Sequence, residues 1–237
     1  MATRYAVVEL ESVESTQNEA RERFEGSDPV LVIAGHQTAG RGRLGREWLE
    51  PDRAVFASLA FEPAWPVEAW SLIPLAAGLA ARSAIGAIAG VTVGLRWPND
   101  LVIDAGKIGG LLAESGDGIV IAGFGLNLVW EEPIDGGAAL CGTAPAPGTE
   151  REIAAGWADR LLTSMALPTD DWGIDDYRTA CVTIGRSVSY TSGSGTAVAV
   201  SDEGSLMVET TGGVIAVHSG EVRLHDRATL STNPRRN

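Results

Sequence analysis

A segment between residues 35 and 48 alternates glycine and arginine inside an acidic chain. Glycine adopts the positive φ angles that turn successive N–H groups toward one point, and the planar guanidinium of arginine pairs with carboxylate and phosphate oxygens. The pattern predicts a loop that binds a carboxylate or a phosphate. Its residues are Gly40, Gly42 and Gly45, which we expect to supply the positive φ angles, and Arg41, Arg43 and Arg46.

Two other interpretations of this segment are weaker. Residues 40–45 match the G-x-G-x-x-G fingerprint of dinucleotide-binding folds, which follows a strand directly and opens a helix. Here four residues separate the preceding apolar run from Gly40, and Pro51 and a strand-like run follow. The context disfavours a dinucleotide site, and an ordinary flexible surface loop remains the alternative.

Two further segments carry side chains suited to an anionic ligand. The first is a turn at residues 96–100, and the second is an apolar run that contains Lys107 beside Gly109 and Gly110. Lysine is usually a solvated surface charge. Paired glycines beside a strand allow a ligand to approach the backbone closely, which favours a lysine that faces a ligand.

Asn127 lies in a third segment, an apolar run at residues 123–128 that contains two glycines. Its carboxamide has two interpretations that the sequence leaves open. One is that it only satisfies neighbouring backbone groups. The other is that its adjacent donor and acceptor pair with the edge of an adenine ring.

The composition excludes several classes of function. The 31 acidic residues against 18 Lys and Arg give a formal net charge of −13, which opposes a general role on nucleic acid or anionic membrane.

Residues 1–10 lack the apolar core of a secretory signal or anchor. Residues 72–90 contain Arg82 and are predicted to form a buried helix. Two distant cysteines predict neither a disulfide framework nor a zinc site. We therefore expect a cytoplasmic protein without DNA or membrane partners.

The elements that position these segments follow from hydrophobic periodicity and turn residues. Thr16 and Glu19 have capping-box spacing at the start of a short polar helix that ends near Phe24. The last three strands of the first domain are predicted to form an antiparallel meander. Strands are predicted at residues 4–10, 30–35, 54–61, 91–97, 101–104, 107–114 and 118–128, and longer helical segments at residues 66–89, 150–167 and 171–183.

The pattern changes near residue 185 to short alternating runs separated by glycine-rich turns. We predict an α+β domain with a mixed sheet at residues 1–184, a small β-barrel domain at 185–227 and a mobile tail at 228–237. The barrel strands are predicted at residues 187–191, 196–200, 205–210 and 214–218.

The segments at residues 35–48, 96–100, 107–114 and 123–127 resemble, in order and spacing, the motifs of the biotin protein ligase family. The resemblance implies a class II synthetase-like mixed sheet with flanking helices, followed by an SH3-like barrel. It implies an enzyme that uses ATP and Mg²⁺ to form biotinyl-5′-AMP with release of pyrophosphate. The enzyme would then transfer biotin to a lysine of a biotin carboxyl carrier domain.

The resemblance also implies roles for the residues that match the family's motifs. Lys107 and Arg43 are the implied catalytic residues, because cations must neutralise the carboxylate and the phosphate as these anions react. The metal ligands are left unassigned, and Asn99 and Asp100 would help organise nucleotide phosphates or magnesium. The implied biotin-binding residues are Ser15, Thr16, Gln37, Gly40, Arg41, Arg43, Lys107, Gly110, Leu112 and Gly123, and the implied nucleotide-binding residues are Arg43, Arg46, Trp48, Arg96, Asn99, Asp100 and Asn127.

Alternatives within and beyond this family remain open. Some members carry an N-terminal helix-turn-helix domain, but only 14 residues precede Ser15, so we expect no such domain here. A lipoate or octanoate ligase has a related fold, and a non-catalytic sensor would bind biotin or nucleotide without turnover. The sequence does not distinguish a monomer from a homodimer.

Overall fold

A seven-stranded sheet forms the centre of the molecule in a computed structural model that describes residues 5–26, 28–104, 106–218 and 222–225. The strand order is β1-β2-β3-β7-β6-β5-β4. β1 and β2 are parallel and all other neighbours are antiparallel, which confirms the predicted mixed sheet and its meander. The strands are β1 (Ala6–Val13), β2 (Val30–Gln37), β3 (Arg53–Phe61), β4 (Gly94–Arg96), β5 (Asp100–Ile103), β6 (Gly106–Gly116) and β7 (Ile119–Val129).

Four α-helices flank this sheet in the described part of the chain. They are α1 (Thr16–Arg23), α2 (Ile73–Ala89), α3 (Thr149–Met165) and α4 (Ile174–Ala180). Helix α2 has a proline in its first turn and ends at Gly90, whose φ of 69° forms a left-handed C-cap. The segment Val67–Ala89 is long and apolar enough to cross a membrane by composition, yet 56% of its most apolar window is buried inside the protein. It packs as the core helix predicted for residues 72–90.

The capping box predicted at Thr16 and Glu19 is wrong. Ser15 occupies the N-cap position of α1 with extended backbone, and no side chain caps the helix. Thr16 is the first helical residue, and its hydroxyl is bonded to side chains of β2 and β3 instead. A tertiary contact therefore replaces the local cap.

A second sheet follows the first domain and has the order β11-β10-β9-β8-β12. All its neighbouring strands are antiparallel. Among the described residues β11 and β12 are the free edges, so the predicted barrel is not closed. The boundary at residue 184 stays a prediction, and the tail at 228–237 lies outside the described residues. The strands are β8 (Ser187–Tyr190), β9 (Gly193–Val200), β10 (Leu206–Thr210), β11 (Gly213–Val217) and β12 (Arg223–His225), of which β12 was not predicted.

The two sheets share one hydrophobic cluster. Trp97 is 3% exposed, and its indole N–H donates to the carbonyl oxygen of Gly204 at 2.9 Å. The backbone N–H of Trp97 donates to the hydroxyl of Thr183 at 2.9 Å. The second sheet is thus packed against the turn at residues 96–100.

Trp157 of α3 joins the helices to the sheet. Its side chain is fully buried, its ring centroid lies 5.2 Å from that of Phe124 on β7, and its N–H donates to Ala77 of α2. We expect Trp157→Ala to lower the free energy of unfolding by about 3–5 kcal/mol, because truncation leaves a large cavity. Urea unfolding measures this change.

The matched control is Val67→Ala, since the Val67 side chain is 62% exposed. We expect a change within about 0.5 kcal/mol for this exposed position. Equal stabilities of the two variants would contradict the assignment of Trp157 to the core.

Candidate functional site: a cationic cavity above a glycine floor

A cavity of about 880 Å³ lies between the loop at residues 38–48, the start of α1 and the strands β3, β5, β6 and β7. Residues 222–224 of the second sheet also line it. Six cationic side chains and three acidic ones face this cavity, so the site is locally positive in an acidic protein. They are Arg41, Arg43, Arg46, Arg96, Lys107 and Arg223, with Glu47, Asp100 and Asp135.

The Gly/Arg loop is held by its own backbone. The N–H of Gly42 donates to Arg46 at 2.7 Å, and the N–H of Trp48 donates to Gly40 at 2.9 Å. These bonds bring the two sides of the loop together. The arginines therefore project from a defined backbone into the cavity.

The prediction that three glycines supply positive φ angles is correct only for Gly45, at 72°. Leu44 supplies the other positive φ at the loop tip, at 60°, and Gly42 has a φ of −109°. Gly40 serves close packing instead, since a Cβ there would lie 3.1 Å from the Cβ of Trp48.

Glycines of β6 and β7 form the floor of the cavity. Because they have no side chains, side chains from above pack directly on the strand backbones. Alternate residues of a strand face the same side, so glycines two apart on β7 belong to one surface. A Cβ on Gly125 or Gly123 would crowd the side chain above it, whereas a Cβ on Gly110 would only touch Lys107. The pairs are Gly125 under Trp48 (2.8 Å from the added Cβ), Gly123 under Gln17 (3.2 Å) and Gly110 under Lys107 (3.4 Å).

One end of the cavity carries uncharged polar groups. The backbone N–H of Thr16 donates to Gln37 Oε1 at 2.8 Å, and the Thr16 hydroxyl lies 3.0 Å from the same oxygen. The hydroxyls of Thr16 and Ser58 are 2.8 Å apart. Because the N–H of Thr16 fixes the Gln37 oxygen, the amide nitrogen of Gln37 is the end that can donate to a ligand. This end suits a neutral polar group such as an amide or a urea.

Arg41 lines the cavity from the Gly/Arg loop and contacts both α1 and β6. Its guanidinium donates to Asn18 of α1 at 3.0 Å and lies 3.4 Å from the carboxylate of Glu114 on β6. The contacts of Arg41 are therefore separate from those of Arg43, although the two residues are neighbours in the loop. Ser15, Leu112 and Gly123 line the cavity, whereas Gly40 does not, and the biotin contacts predicted for these residues stay predictions.

The cations meet around Asp100 at another part of the cavity. Asp100 Oδ2 accepts from Arg96 at 3.0 and 3.2 Å, and Oδ1 lies 2.7 Å from Lys107 Nζ. One carboxylate thus bridges two cations, each through a different oxygen. Lys107, the single lysine of the chain, also lies 5.6 Å from the ring centroid of Trp48, within cation–π range.

Arg43 reaches this cluster from the Gly/Arg loop. Its guanidinium donates to Asn99 Oδ1 at 3.1 Å, and the amide of Asn99 donates to the carbonyl of Leu111 at 2.9 Å. Burial lowers the pKa of Arg43, Asp100 opposes this effect and Arg46 adds to it. A guanidinium remains charged at neutral pH, so the cluster presents fixed cations.

Asn127 lies on β7 behind the cavity wall and does not line the cavity. It is 3% exposed, its amide nitrogen donates to Ala138 at 2.9 Å, and its Oδ1 is buried without a partner among the described residues. The indole nitrogen of Trp48 is likewise buried without a partner there. The predicted adenine contacts of Trp48 and Asn127 stay predictions.

Sequence reasoning missed several lining residues. The sequence could have indicated Ser58, which is the one serine inside an apolar strand, and Gly125, which lies two residues from Gly123. No sequence feature indicated Gln17 except its position beside Thr16. Its amide donates to the carbonyl of Leu112 at 3.1 Å, which only the packing of α1 on β6 determines. Residues 135–136 and 222–224 also line the cavity, and only the tertiary structure brings them there.

Fold and site together define a protein whose mixed sheet carries a cavity lined by uncharged polar groups and by cations. A family model described as the Biotin/lipoate A/B protein ligase family matches residues 9–126. A biotin--[acetyl-CoA-carboxylase] ligase of Mycobacterium tuberculosis is 34% identical over 213 residues, 82% of this chain and 79% of that protein. The chain belongs to the biotin protein ligase family.

Solved structures agree with the observed fold. The biotin protein ligase from Aquifex aeolicus in complex with biotin and ATP has a TM-score of 0.78 at 24% identity, covering 93% of this chain and 98% of that one. The Leishmania major biotin protein ligase in complex with biotinyl-5-AMP has a TM-score of 0.64 at 26% identity, covering 90% and 98%. The predicted mixed sheet with flanking helices, followed by a second β domain, is confirmed, and the SH3-like character of that domain stays a prediction.

Asp100 offers a test of the site's electrostatics. We expect Asp100→Asn to bind inorganic pyrophosphate about two- to fivefold more tightly in magnesium-free buffer, because removing a carboxylate beside the cations reduces repulsion of an anion. Calorimetry at low and at physiological salt measures the affinities.

Asp170→Asn is the control, since Asp170 is exposed and does not line the cavity. It removes the same charge and leaves the cavity unchanged. Unchanged or weaker pyrophosphate binding by Asp100→Asn would show that the cations around Asp100 do not form the anion site.

Proposed function

We propose that this protein is an ATP-dependent biotin protein ligase. It activates biotin to biotinyl-5′-AMP with release of pyrophosphate and then transfers biotin to a lysine of a biotin carboxyl carrier domain. The observation that carries this proposal is that uncharged polar groups and cations line different parts of the cavity. Thr16 and Gln37 form a neutral polar end, and Arg43 and Lys107 belong to a cationic end. Biotin has matching groups in the same order. Its fused rings contain a neutral urea, and its aliphatic chain ends in a carboxylate.

The comparisons support the same reaction. The relative from Mycobacterium tuberculosis is named a biotin--[acetyl-CoA-carboxylase] ligase, and two structural neighbours contain biotin with ATP or biotinyl-5-AMP. A lipoate or octanoate ligase would need no match to a fused urea ring. The Gly/Arg loop argues against such a ligase, and the uncharged Thr16–Gln37–Ser58 group is consistent with a urea as guest.

In the first step a carboxylate oxygen of biotin attacks the α-phosphorus of ATP, and pyrophosphate leaves. Two anions must approach each other, and charge builds on the phosphorus centre. Arg43 as a planar fork and Lys107 as a compact cation stabilise this charge by position and electrostatics, without a covalent enzyme intermediate. Gly110, Leu112 and Gly123 would accommodate the aliphatic chain above the strand backbones.

The nucleotide would lie at the cationic end. Arg46, Arg96 and Asn99 face this part of the cavity, and Trp48 offers an aromatic ring for adenine. Magnesium usually binds through one or two carboxylates together with substrate phosphates, and Asp100 is placed among the cations to provide one. Bound magnesium would supply charge neutralisation of the phosphates.

In the second step an amine attacks the acyl carbonyl, the bond to the phosphate oxygen breaks and AMP leaves. Lys107 is the single lysine of this chain and is paired with Asp100, which supports an acceptor lysine on another protein. This supports a carrier domain as the partner. The proposal includes a cytoplasmic location without DNA or membrane partners, supported by the net charge of −13, and leaves a monomer or homodimer to be measured.

The direct experiment measures pyrophosphate release from ATP and magnesium with biotin, lipoate, octanoate or no acid. Intact mass of an added carrier domain reports transfer. Biotin-dependent release and one biotin on the carrier would establish the ligase. Release only with lipoate or octanoate would assign the related ligases, and biotin binding without release would assign a sensor.

Lys107→Ala tests the catalytic assignment. We expect pyrophosphate release to fall by about 10²–10³-fold, because a preorganised group that stabilises transition-state charge is removed. Lys107→Arg keeps a cation with a different shape and should recover part of this loss.

Arg151→Ala is the control, since the Arg151 side chain is 64% exposed and lies outside the cavity. The Arg151→Ala variant should release pyrophosphate at the parental rate. All variants should have the melting temperature of the parent. Turnover of Lys107→Ala at the parental rate would refute the role of Lys107.

A further inference from the structure

Ser58 places a buried hydroxyl in an apolar run of β3. The residue is 0% exposed and lies opposite Gly123 of β7 in the strand register. Burying a hydroxyl is unfavourable unless it is hydrogen-bonded. The hydroxyl of Thr16, 2.8 Å away, is the one side-chain partner of Ser58 in the described part of the chain. The side chain of Ser58 therefore influences the cavity through Thr16.

The direction of the hydrogen bonds in this group follows from which atoms can donate. The backbone N–H of Thr16 donates to Gln37 Oε1 at 2.8 Å, and a carbonyl oxygen only accepts. The Thr16 hydroxyl, 3.0 Å from the same oxygen, must therefore donate its single proton to it. Because Thr16 then has no proton for Ser58, the Ser58 hydroxyl is the donor in the contact between them. The bonds run in one direction, from Ser58 through Thr16 to Gln37.

This direction leaves a defined set of groups for a ligand. Ser58 occupies one lone pair of the Thr16 oxygen, so one lone pair remains to accept from a ligand, and the amide nitrogen of Gln37 remains to donate. The group thus offers an acceptor beside a donor without a charge. A urea is complementary, because its N–H lies beside its C=O. Without Ser58, the Thr16 hydroxyl would have two open lone pairs and a less restricted rotation.

We propose that Ser58 is a positioning residue for biotin recognition, which holds the Thr16 hydroxyl and the Gln37 carboxamide in the orientation that a urea requires. This proposal rests on the proposed function. The bonds between Asp100 and Lys107 form a separate set of contacts. We therefore expect a change at Ser58 to weaken biotin binding and to leave ATP binding nearly unchanged.

The first experiment measures biotin affinity by calorimetry for Ser58→Ala and for the parent. We expect about five- to tenfold weaker binding, because one hydrogen bond of the chain is lost. KM for ATP should change by less than about twofold. Ser58→Cys keeps a weak donor of similar size and should recover part of the loss, and it replaces Ser58→Ala if that variant does not fold.

Ser205→Ala is the matched control. Ser205 is 4% exposed, and its hydroxyl lies 2.7 Å from His218 Nδ1 in the second domain, outside the cavity. This variant also loses a buried hydroxyl, so its melting temperature should fall to a similar extent while it binds biotin like the parent. Parental biotin affinity in Ser58→Ala would show a purely structural role and overturn the proposal.

A double-mutant cycle tests whether Ser58 acts through Thr16. Thr16→Val removes the hydroxyl and leaves a side chain of similar shape. In the Thr16→Val background we expect Ser58→Ala to change biotin affinity by less than about twofold, because the bond between the two hydroxyls is already absent. Equal losses from Ser58→Ala in both backgrounds would contradict the proposal.

A readout without ligand separates this proposal from the proposed function. The N–H of Thr16 lies in the first turn of α1, where no carbonyl of the helix is available, so Gln37 protects it from hydrogen exchange. Exchange of this amide should be at least about threefold faster in Ser58→Ala than in Ser205→Ala, and equal rates would rule the proposal out. A parent that releases no pyrophosphate with biotin refutes the proposed function, and the exchange rates of Thr16 then still test Ser58.

Discussion

Repulsion between like charges is the constraint on which this site depends. Several cations share one cavity, and each pair a few ångströms apart repels by about 1–4 kcal/mol in a protein surface environment. Asp100 offsets much of this repulsion by placing one oxygen on Arg96 and the other on Lys107. This pairing reduces the repulsion within the cluster, yet the site as a whole remains positive. An acidic protein can bind an anion only where such a local arrangement exists.

The sheet explains how these charges reach one another. Asp100 begins β5, Lys107 lies near the start of β6, and antiparallel pairing of these strands brings them together. Arg43 arrives from the loop between β2 and β3 and is fixed by Asn99, the residue before Asp100. The glycine floor then lets Trp48, Gln17 and the Lys107 side chain lie directly on the strands. A larger residue at Gly125 or Gly123 would crowd Trp48 or Gln17.

The second sheet and the loop after β7 complete the cavity from outside the meander. Trp97 carries its indole into the second sheet, so the turn that holds Asp100 is supported on its far side. Residues 222–224 and 135–136 close the walls. Neither contact is local in sequence. The site is therefore a product of both sheets, since Arg223 of β12 joins the charged residues of the first domain.

Much of this protein was predictable from its sequence because the signals were local. Hydrophobic alternation located the strands of the meander, the Gly/Arg spacing located the anion loop, and four motifs in order indicated the family. Thr16 shows the limit, since its spacing from Glu19 predicted a cap that the tertiary bonds to Gln37 and Ser58 replaced. Gly42 is a second example. It was predicted to have a positive φ, but the chain reverses at the loop tip with the positive φ at Leu44. The sequence by itself determined which residues carry charge and which strands they follow. Only the tertiary structure decided that Asp100 bridges two cations and that Ser58 bonds Thr16, because such contacts depend on strand register and packing between distant segments.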